Sequence, residues 1–169
     1  KGLRGEGILG FHAYDINTHT PGLGEKIRFR AAETNTTLVG SSAELTRTCD
    51  LIISAVTANQ AMAAARQTSP GLTGTHIYAD INSVSPALKQ SLDREVQATG
   101  ARFVEVAVMA PVHPAKHKTP VLLAGPHAST LAPVLQALDM SVGIAGEKIG
   151  NAATNSGTSR PRPCANLTT

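Results

Sequence analysis

Segments typical of β-strands alternate with segments typical of α-helices along most of this 169-residue chain. Apolar runs such as DLIISAV at 50–56 indicate buried strands, and charged runs such as EKIRFRAAE at 25–33 indicate amphipathic helices. Because parallel strands need helical crossovers, which are right-handed, we expect an open, doubly wound α/β sheet with mostly parallel strands. Further strands are predicted at 8–15, 36–40, a stretch ending near 80, 101–108, 119–125 and 140–146, and further helices at 42–48, 59–67, 85–100 and 127–138.

Residues that begin and end helices support this assignment. In SPALKQSLDREVQATG, Ser85 is placed to cap the free amides of a helix, Pro86 suits its first turn, and Gly100 suits its end. The helix predicted at 42–48 is capped by either Ser41 or Ser42.

Length and composition restrict the function classes. One domain over 1–150 is the expectation for a chain of this length, with a disordered tail at 151–169, where polar residues and prolines leave little to bury. The net charge of +3 and the near absence of aromatic residues argue against nucleic-acid binding, and the apolar runs are too short to span a membrane. Two cysteines without a secretory signal favour the cytoplasm.

Asp15 ends the predicted strand at 8–15 and is followed by a polar turn. In a doubly wound sheet, ligands bind outside the carboxyl ends of the strands, where Asp15, Val56, Asn82 and Met109 are predicted to lie. A carboxylate in this position can accept hydrogen bonds from the ribose hydroxyls of a dinucleotide. The alternative is an aspartate that only initiates a turn, and the residues alone leave both interpretations open.

Six motifs point to a family in the same order and spacing: YDIN, CDLIISAVTANQA, IYADINSVSP, RFVEVAVMAPV, VLLAGP and GEKIGNAA. Together they resemble the β-hydroxyacid dehydrogenases, the superfamily of 6-phosphogluconate dehydrogenase. The resemblance implies a Rossmann-like domain that binds NAD or NADP, followed in the family by a helical domain that completes the active site and a homodimer. It also implies hydride transfer from the CH–OH group of a small 3-hydroxy acid or sugar acid.

The resemblance also assigns roles to individual positions. Met109 and Ala110 fall in the substrate-binding turn, where Met109, Ala110 and Pro111 replace the serine and glycines that the family usually has. We expect no metal site at His113 and His117, because Pro114 and Pro120 indicate a loop rather than a helix and no third ligand is evident. Asp15 favours NAD, because its charge repels the 2′-phosphate of NADP. The cofactor-binding residues implied are Asp15, Val56, Thr57, Asn59, Asn82 and Ser83.

Two departures from the family pattern bear on activity. The letters GEGILG at 5–10 fit G-x-G-x-x-G, but no apolar strand precedes them, so we do not assign them to a phosphate-binding turn. The acid/base lysine of the family falls at or beside Ser156, and serine cannot replace it.

We therefore expect a domain truncated at both ends and catalytically incomplete, without a first strand between those ending at Asp15 and Val56 and without the helical domain. The alternative function is a noncatalytic α/β interaction protein derived from such a dehydrogenase.

Overall fold

The computed structural model of the protein describes residues 3–8, 10–113 and 115–152. Strands and helices alternate in these residues, as the sequence predicts. The strands are β1 His12–Ala13, β2 Thr37–Leu38, β3 Leu51–Ser54, β4 Ile77–Asp80, β5 Arg102–Val108, β6 Val121–Ala124 and β7 Val142–Gly146. The helices are α1 Leu23–Glu33, α2 Ser42–Thr48, α3 Ala61–Thr68, α4 Pro86–Gln97 and α5 Ala128–Gln136.

The strands form two sheets. β3, β4, β5, β6 and β7 lie in that order in a five-stranded sheet, and β1 pairs with β2 in a separate two-stranded sheet. All neighbouring strands are parallel except β5 and β6, which are antiparallel. The predicted fold class, a mostly parallel doubly wound α/β sheet, is confirmed.

The predicted caps account for where two helices begin. The Ser85 hydroxyl accepts a hydrogen bond from the amide of Leu88, and Pro86 occupies the first turn of α4. In α2 the cap is Ser41, whose hydroxyl accepts from the amide of Glu44 at 3.1 Å. Each cap pairs an amide that the helix itself leaves without a partner.

Helices cover both faces of the large sheet, which gives it a two-sided core. On one face, α3 and α4 pack against Ile52, Tyr78 and Phe103. On the other face, α5 packs through Leu131 and Leu135 against the strands. The alternation of side chains along each strand separates these two clusters.

The strand predicted at 8–15 is much shorter than expected, since among the described residues of this stretch strand geometry is confined to His12 and Ala13. Within the described residues β1 pairs with β2 alone and β3 pairs with β4 alone. β1 and β3 therefore each have one edge that no other described strand covers. Ile53 of β3 is 50% exposed, which shows that the covering of the sheet is incomplete at this edge. The length of β1 is limited by its pairing, because a strand extends only as far as its backbone amides and carbonyls have hydrogen-bond partners on a neighbouring strand.

The predicted tail at 151–169 lies outside the described residues except for Asn151 and Ala152, which are helical. Among the helices of the described residues, none has the length and apolar character needed to cross a membrane.

Replacing Leu131 with alanine should lower the free energy of unfolding by about 2–5 kcal/mol, because Leu131 is buried between α5 and the sheet. Val134 on the same helix is 48% exposed, so V134A should change it by no more than about 0.5 kcal/mol. Urea denaturation of both variants measures the difference. Equal effects would contradict the packing of α5 described above.

Candidate functional site

Parallel pairing brings the carboxyl ends of β3, β4 and β5 to one edge of the large sheet, called the carboxyl edge below. Val56 follows β3, Asn82 follows β4 and Met109 follows β5. Ligands of open α/β sheets bind in the crevice outside this edge. The carboxyl edge is therefore the candidate site.

The loop after β3 is attached to the end of β4 by a direct hydrogen bond. The amide of Val56 donates to Oδ1 of Asn82 at 2.6 Å. Farther along, the Thr57 hydroxyl donates to Oδ1 of Asn59 at 2.7 Å, and a short turn at Ala58–Gln60 leads into α3. Val56, Thr57 and Asn59 are all exposed, so this loop offers polar groups to a ligand from a fixed backbone.

Asn82 is buried, and both ends of its side-chain amide are used within the protein. Its Nδ2 donates to the Ser54 hydroxyl at 2.9 Å and also to Oδ1 of Asp80, while its Oδ1 accepts from Val56. Asn82 therefore holds the loop after β3 from the buried side of the site. The neighbouring Ser83 is an exposed residue at the carboxyl edge.

A buried ion pair lies under Asn82. Nζ of Lys89, in α4, donates to Oδ2 of Asp80 at 2.6 Å and to the backbone oxygen of Asp80 at 2.9 Å. The side chains of Lys89 and Asp80 are 3% and 0% exposed. Each charge is compensated by the other, as burial of ionised groups requires.

Burial raises the pKa of the Tyr78 hydroxyl, and a hydrogen bond with Ser54 partly opposes that shift. The nearby negative charge of Asp80 raises this pKa further. Tyr78 is thus neutral at physiological pH, as its position in the core beneath Ser54 demands.

A second buried carboxylate holds the segment that follows β7. Glu105 of β5 is fully buried, and its Oε2 accepts a hydrogen bond from the amide of Gly150 at 2.6 Å. Glu105 also pairs in register with Asp80 on β4. The same face of the sheet therefore carries the ion pair and the anchor of the GEKIGNAA segment.

Asp15 lies at the end of β1, outside the large sheet. Its Oδ1 accepts from the amide of Asn17 at 2.8 Å, and its backbone oxygen accepts from the amide of Thr18 at 3.1 Å. This is the turn that the alternative interpretation of Asp15 predicts. The carboxylate is nonetheless exposed, so the turn leaves it accessible to a ligand.

No hydrogen bond or ion pair in the described part of the chain joins Asp15 to Val56 or Asn82. The segment is tied to the rest of the molecule instead by Tyr14, whose hydroxyl accepts from Nε2 of Gln67 in α3 at 2.9 Å. The structure brings Val56 and Asn82 into contact and leaves Asp15 on the separate small sheet.

The two positions assigned to the substrate lie at the end of β5. The amide of Met109 donates to the backbone oxygen of Pro120 at 2.9 Å, which fixes the start of the loop. Met109 is half-buried and Ala110 is exposed. Neither side chain can transfer a proton, so any contact that they make with a substrate is apolar.

His117 belongs to a cluster that the sequence did not predict. Potential ligand atoms of Glu6, His117 and Asp139 lie within 4.8 Å of one another. Hydrogen bonding and the charge of Lys118 lower the pKa of Asp139, while the same contact raises the pKa of Lys118. Nζ of Lys118 binds Oδ2 of Asp139, so one of the two carboxylates already has a cationic partner within the protein, and we assign the cluster no metal.

Sequence reasoning missed Lys89, although a signal for it was present. Lys89, Leu92 and Val96 are spaced so that they share one face of α4, and all three are buried. A lysine on the apolar stripe of a helix needs a buried partner, and Asp80 ends the strand immediately before that helix.

Comparison with known proteins agrees with the geometry of the sheet. Residues 23–146 match the NAD binding domain of 6-phosphogluconate dehydrogenase. A solved conserved protein from Sinorhizobium meliloti is 32% identical, with a TM-score of 0.85 over 92% of this chain and 52% of its own.

Two more distant structures show the fold alone. A conserved protein described as structurally similar to 3-hydroxyacid dehydrogenases is 24% identical, with a TM-score of 0.76 over 91% of this chain and 55% of its own. An imine reductase from Myxococcus stipitatus, solved with NADP+, is 17% identical, with a TM-score of 0.69 over 92% of this chain and 54% of its own. A variant of that reductase was solved with NAD+.

The chain spans about half the length of a curated relative from Methanothermus fervidus and of the solved structures that it matches. The family match, in contrast, covers most of the chain and includes α1 to β7. The protein therefore belongs to the family of the NAD-binding domain of 6-phosphogluconate dehydrogenase.

Proposed function

We propose that this chain is the cofactor-binding part of an oxidoreductase that acts on the CH–OH group of a small 3-hydroxy acid or sugar acid. The observation that carries the proposal is the exposed polar loop Val56 to Asn59, held at the carboxyl edge by the bond from the Val56 amide to Asn82. In a chain of this family, a fixed polar loop at that edge suits a dinucleotide.

We assign residues of the carboxyl edge to the two riboses of a nicotinamide dinucleotide. We assign Thr57, Asn59 and Ser83 to direct contacts, since these polar residues are exposed at the carboxyl edge. Val56 and Asn82 shape the loop rather than contact the ligand through polar side-chain groups. When bound, the nicotinamide supplies or accepts a hydride.

Asp15 is assigned to the adenosine ribose, with NAD preferred over NADP. The exposed carboxylate retains acceptor capacity beyond the single bond to Asn17, and its charge repels a 2′-phosphate. This assignment requires that Asp15 both build its turn and bind the ribose, and the two roles are compatible.

The pyrophosphate is the part of the cofactor that the described residues do not fit. The glycines of GEGILG lie in a turn of 3-10 helix and in the approach to β1, whereas a phosphate-binding turn joins a strand to a helix N-terminus. Substrate contacts are assigned to Met109 and Ala110. The family position of the acid/base lysine falls at Ser156, outside the described residues, so we propose that proton transfer is incomplete in this chain.

A second candidate is a noncatalytic interaction protein. It rests on the large apolar side chains of Ile16, Phe29 and Ile53, each of which is at least half exposed and available to a partner protein. Cofactor titration separates the two candidates. The cytoplasmic location predicted from the sequence and a homodimer belong to the first candidate.

Titration of the chain with NADH, followed by nicotinamide fluorescence, should give weak saturable binding with a dissociation constant of about 0.1–1 mM. Binding should be weak because the ribose contacts are present without a pyrophosphate cradle. NADPH should bind about fivefold to tenfold more weakly than NADH, since one like-charge contact costs on the order of 1 kcal/mol at an exposed site. Absence of saturable binding by either cofactor would support the interaction protein instead.

Replacing Asp15 with asparagine should remove the preference for NADH, because the amide keeps the acceptor for the Asn17 amide but loses the charge. The ratio of the NADPH and NADH dissociation constants measures this effect and should fall to near one. D50N makes the same charge change at the exposed residue before β3, at the opposite edge of the sheet, and should leave the ratio unchanged. A D15N variant with the ratio of the unmodified chain would refute the ribose role.

A further inference from the structure

A lysine at position 89 is not required for packing. Its aliphatic stem occupies the buried face of α4, among residues of the apolar cluster that includes Leu92 and Val96. A buried ion pair is often no more stabilising than apolar residues of similar volume, because both charges lose their hydration. The charge of Lys89 therefore calls for an explanation other than stability.

The ion pair determines how Asp80 is oriented. Nζ of Lys89 binds both Oδ2 and the backbone oxygen of Asp80, so the carboxylate is held against its own main chain. This leaves Oδ1 of Asp80 as an acceptor for Nδ2 of Asn82. Each oxygen of the carboxylate thus has one defined partner.

The orientation of Asp80 in turn determines which end of the Asn82 amide faces the loop. With Nδ2 bound to Asp80 and Ser54, the acceptor Oδ1 must point toward the amide of Val56. A flipped amide would present two N–H donors to the N–H of Val56 and could not bind it. The bond at 2.6 Å between Val56 and Asn82 therefore depends on the buried carboxylate.

We propose that Lys89 is a positioning residue of the cofactor site, which fixes the Val56 to Asn59 loop through Asp80 and Asn82. Lys89 touches no ligand, and its effect reaches the carboxyl edge through three successive hydrogen-bonded contacts. The inference rests on the proposed function for the statement that this loop binds a nicotinamide dinucleotide.

The K89M variant tests the proposal in the full chain. Methionine keeps the length and apolar character of the stem and removes the donors, so Asp80 loses its restraint. The dissociation constant for NADH should rise about tenfold, because a loop displaced by about 1 Å no longer presents its groups correctly. R94M is the matched control, since it also replaces a basic side chain of α4 with methionine and removes one positive charge, but at an exposed position.

Amide hydrogen exchange distinguishes positioning from general stability. In K89M, exchange at Val56 should be about tenfold faster, whereas exchange at Gly125, whose amide binds the backbone oxygen of Gly146 at the far side of the sheet, should not change. Faster exchange at both amides would mean that Lys89 only stabilises the fold. That result would overturn the proposal.

K89M leaves the carboxylate of Asp80 buried without its cationic partner, and the variant can fail to fold for that reason. In that case the double variant D80V/K89M provides the test. Replacing both partners with apolar residues removes that penalty and also removes the acceptor for Asn82. This variant should fold, lose about tenfold in NADH affinity and exchange Val56 faster. NADH binding equal to that of the unmodified chain would overturn the proposal, while failure of the unmodified chain to bind would overturn the proposed function first.

Discussion

Parallel pairing of β3, β4 and β5 is the constraint on which the rest of this structure depends. It places three strand ends at one edge and aligns Ser54, Asp80 and Glu105 in register on one face. Polar side chains on neighbouring strands then lie close enough to bond to one another and to the helix that covers them. The loop at Val56 owes its fixed position to that alignment rather than to its own short-range contacts.

The polar side chains aligned on this face, Ser54, Asp80 and Glu105, need partners because they are buried. Buried carboxylates are stable only when charges or hydrogen bonds compensate them, which commits Lys89 to Asp80 and the Gly150 amide to Glu105. The side-chain amide of Asn82 can bond to all of its neighbours in only one orientation. The polar network on this face of the sheet therefore specifies one arrangement of its side chains as well as stabilising it. The same sheet thus carries an apolar core in its middle and a polar network toward the carboxyl edge, which is the candidate site.

Local signals in the sequence predicted the parts of the fold that local interactions build. Ser85 and Pro86 mark the start of α4, and the strand ending at Asp80 needed only its apolar pattern. The length of β1 could not be predicted in this way, because it depends on which strands lie beside it. The hydrogen-bond partners of Lys89 and Asn82 could not be predicted for the same reason. Each of these bonds joins two segments of the chain whose relative positions the sequence does not reveal.

Mapping of the bound cofactor by NMR tests the central claim most directly. Addition of NADH to the isotope-labelled chain should shift the amide signals of Asp15, Val56, Thr57 and Ser83, all of which follow the carboxyl ends of strands. The amides of Asp50 and Thr75, which precede strands at the opposite edge, should keep their positions. Shifts confined to that opposite edge, or none at any strand end, would contradict the account.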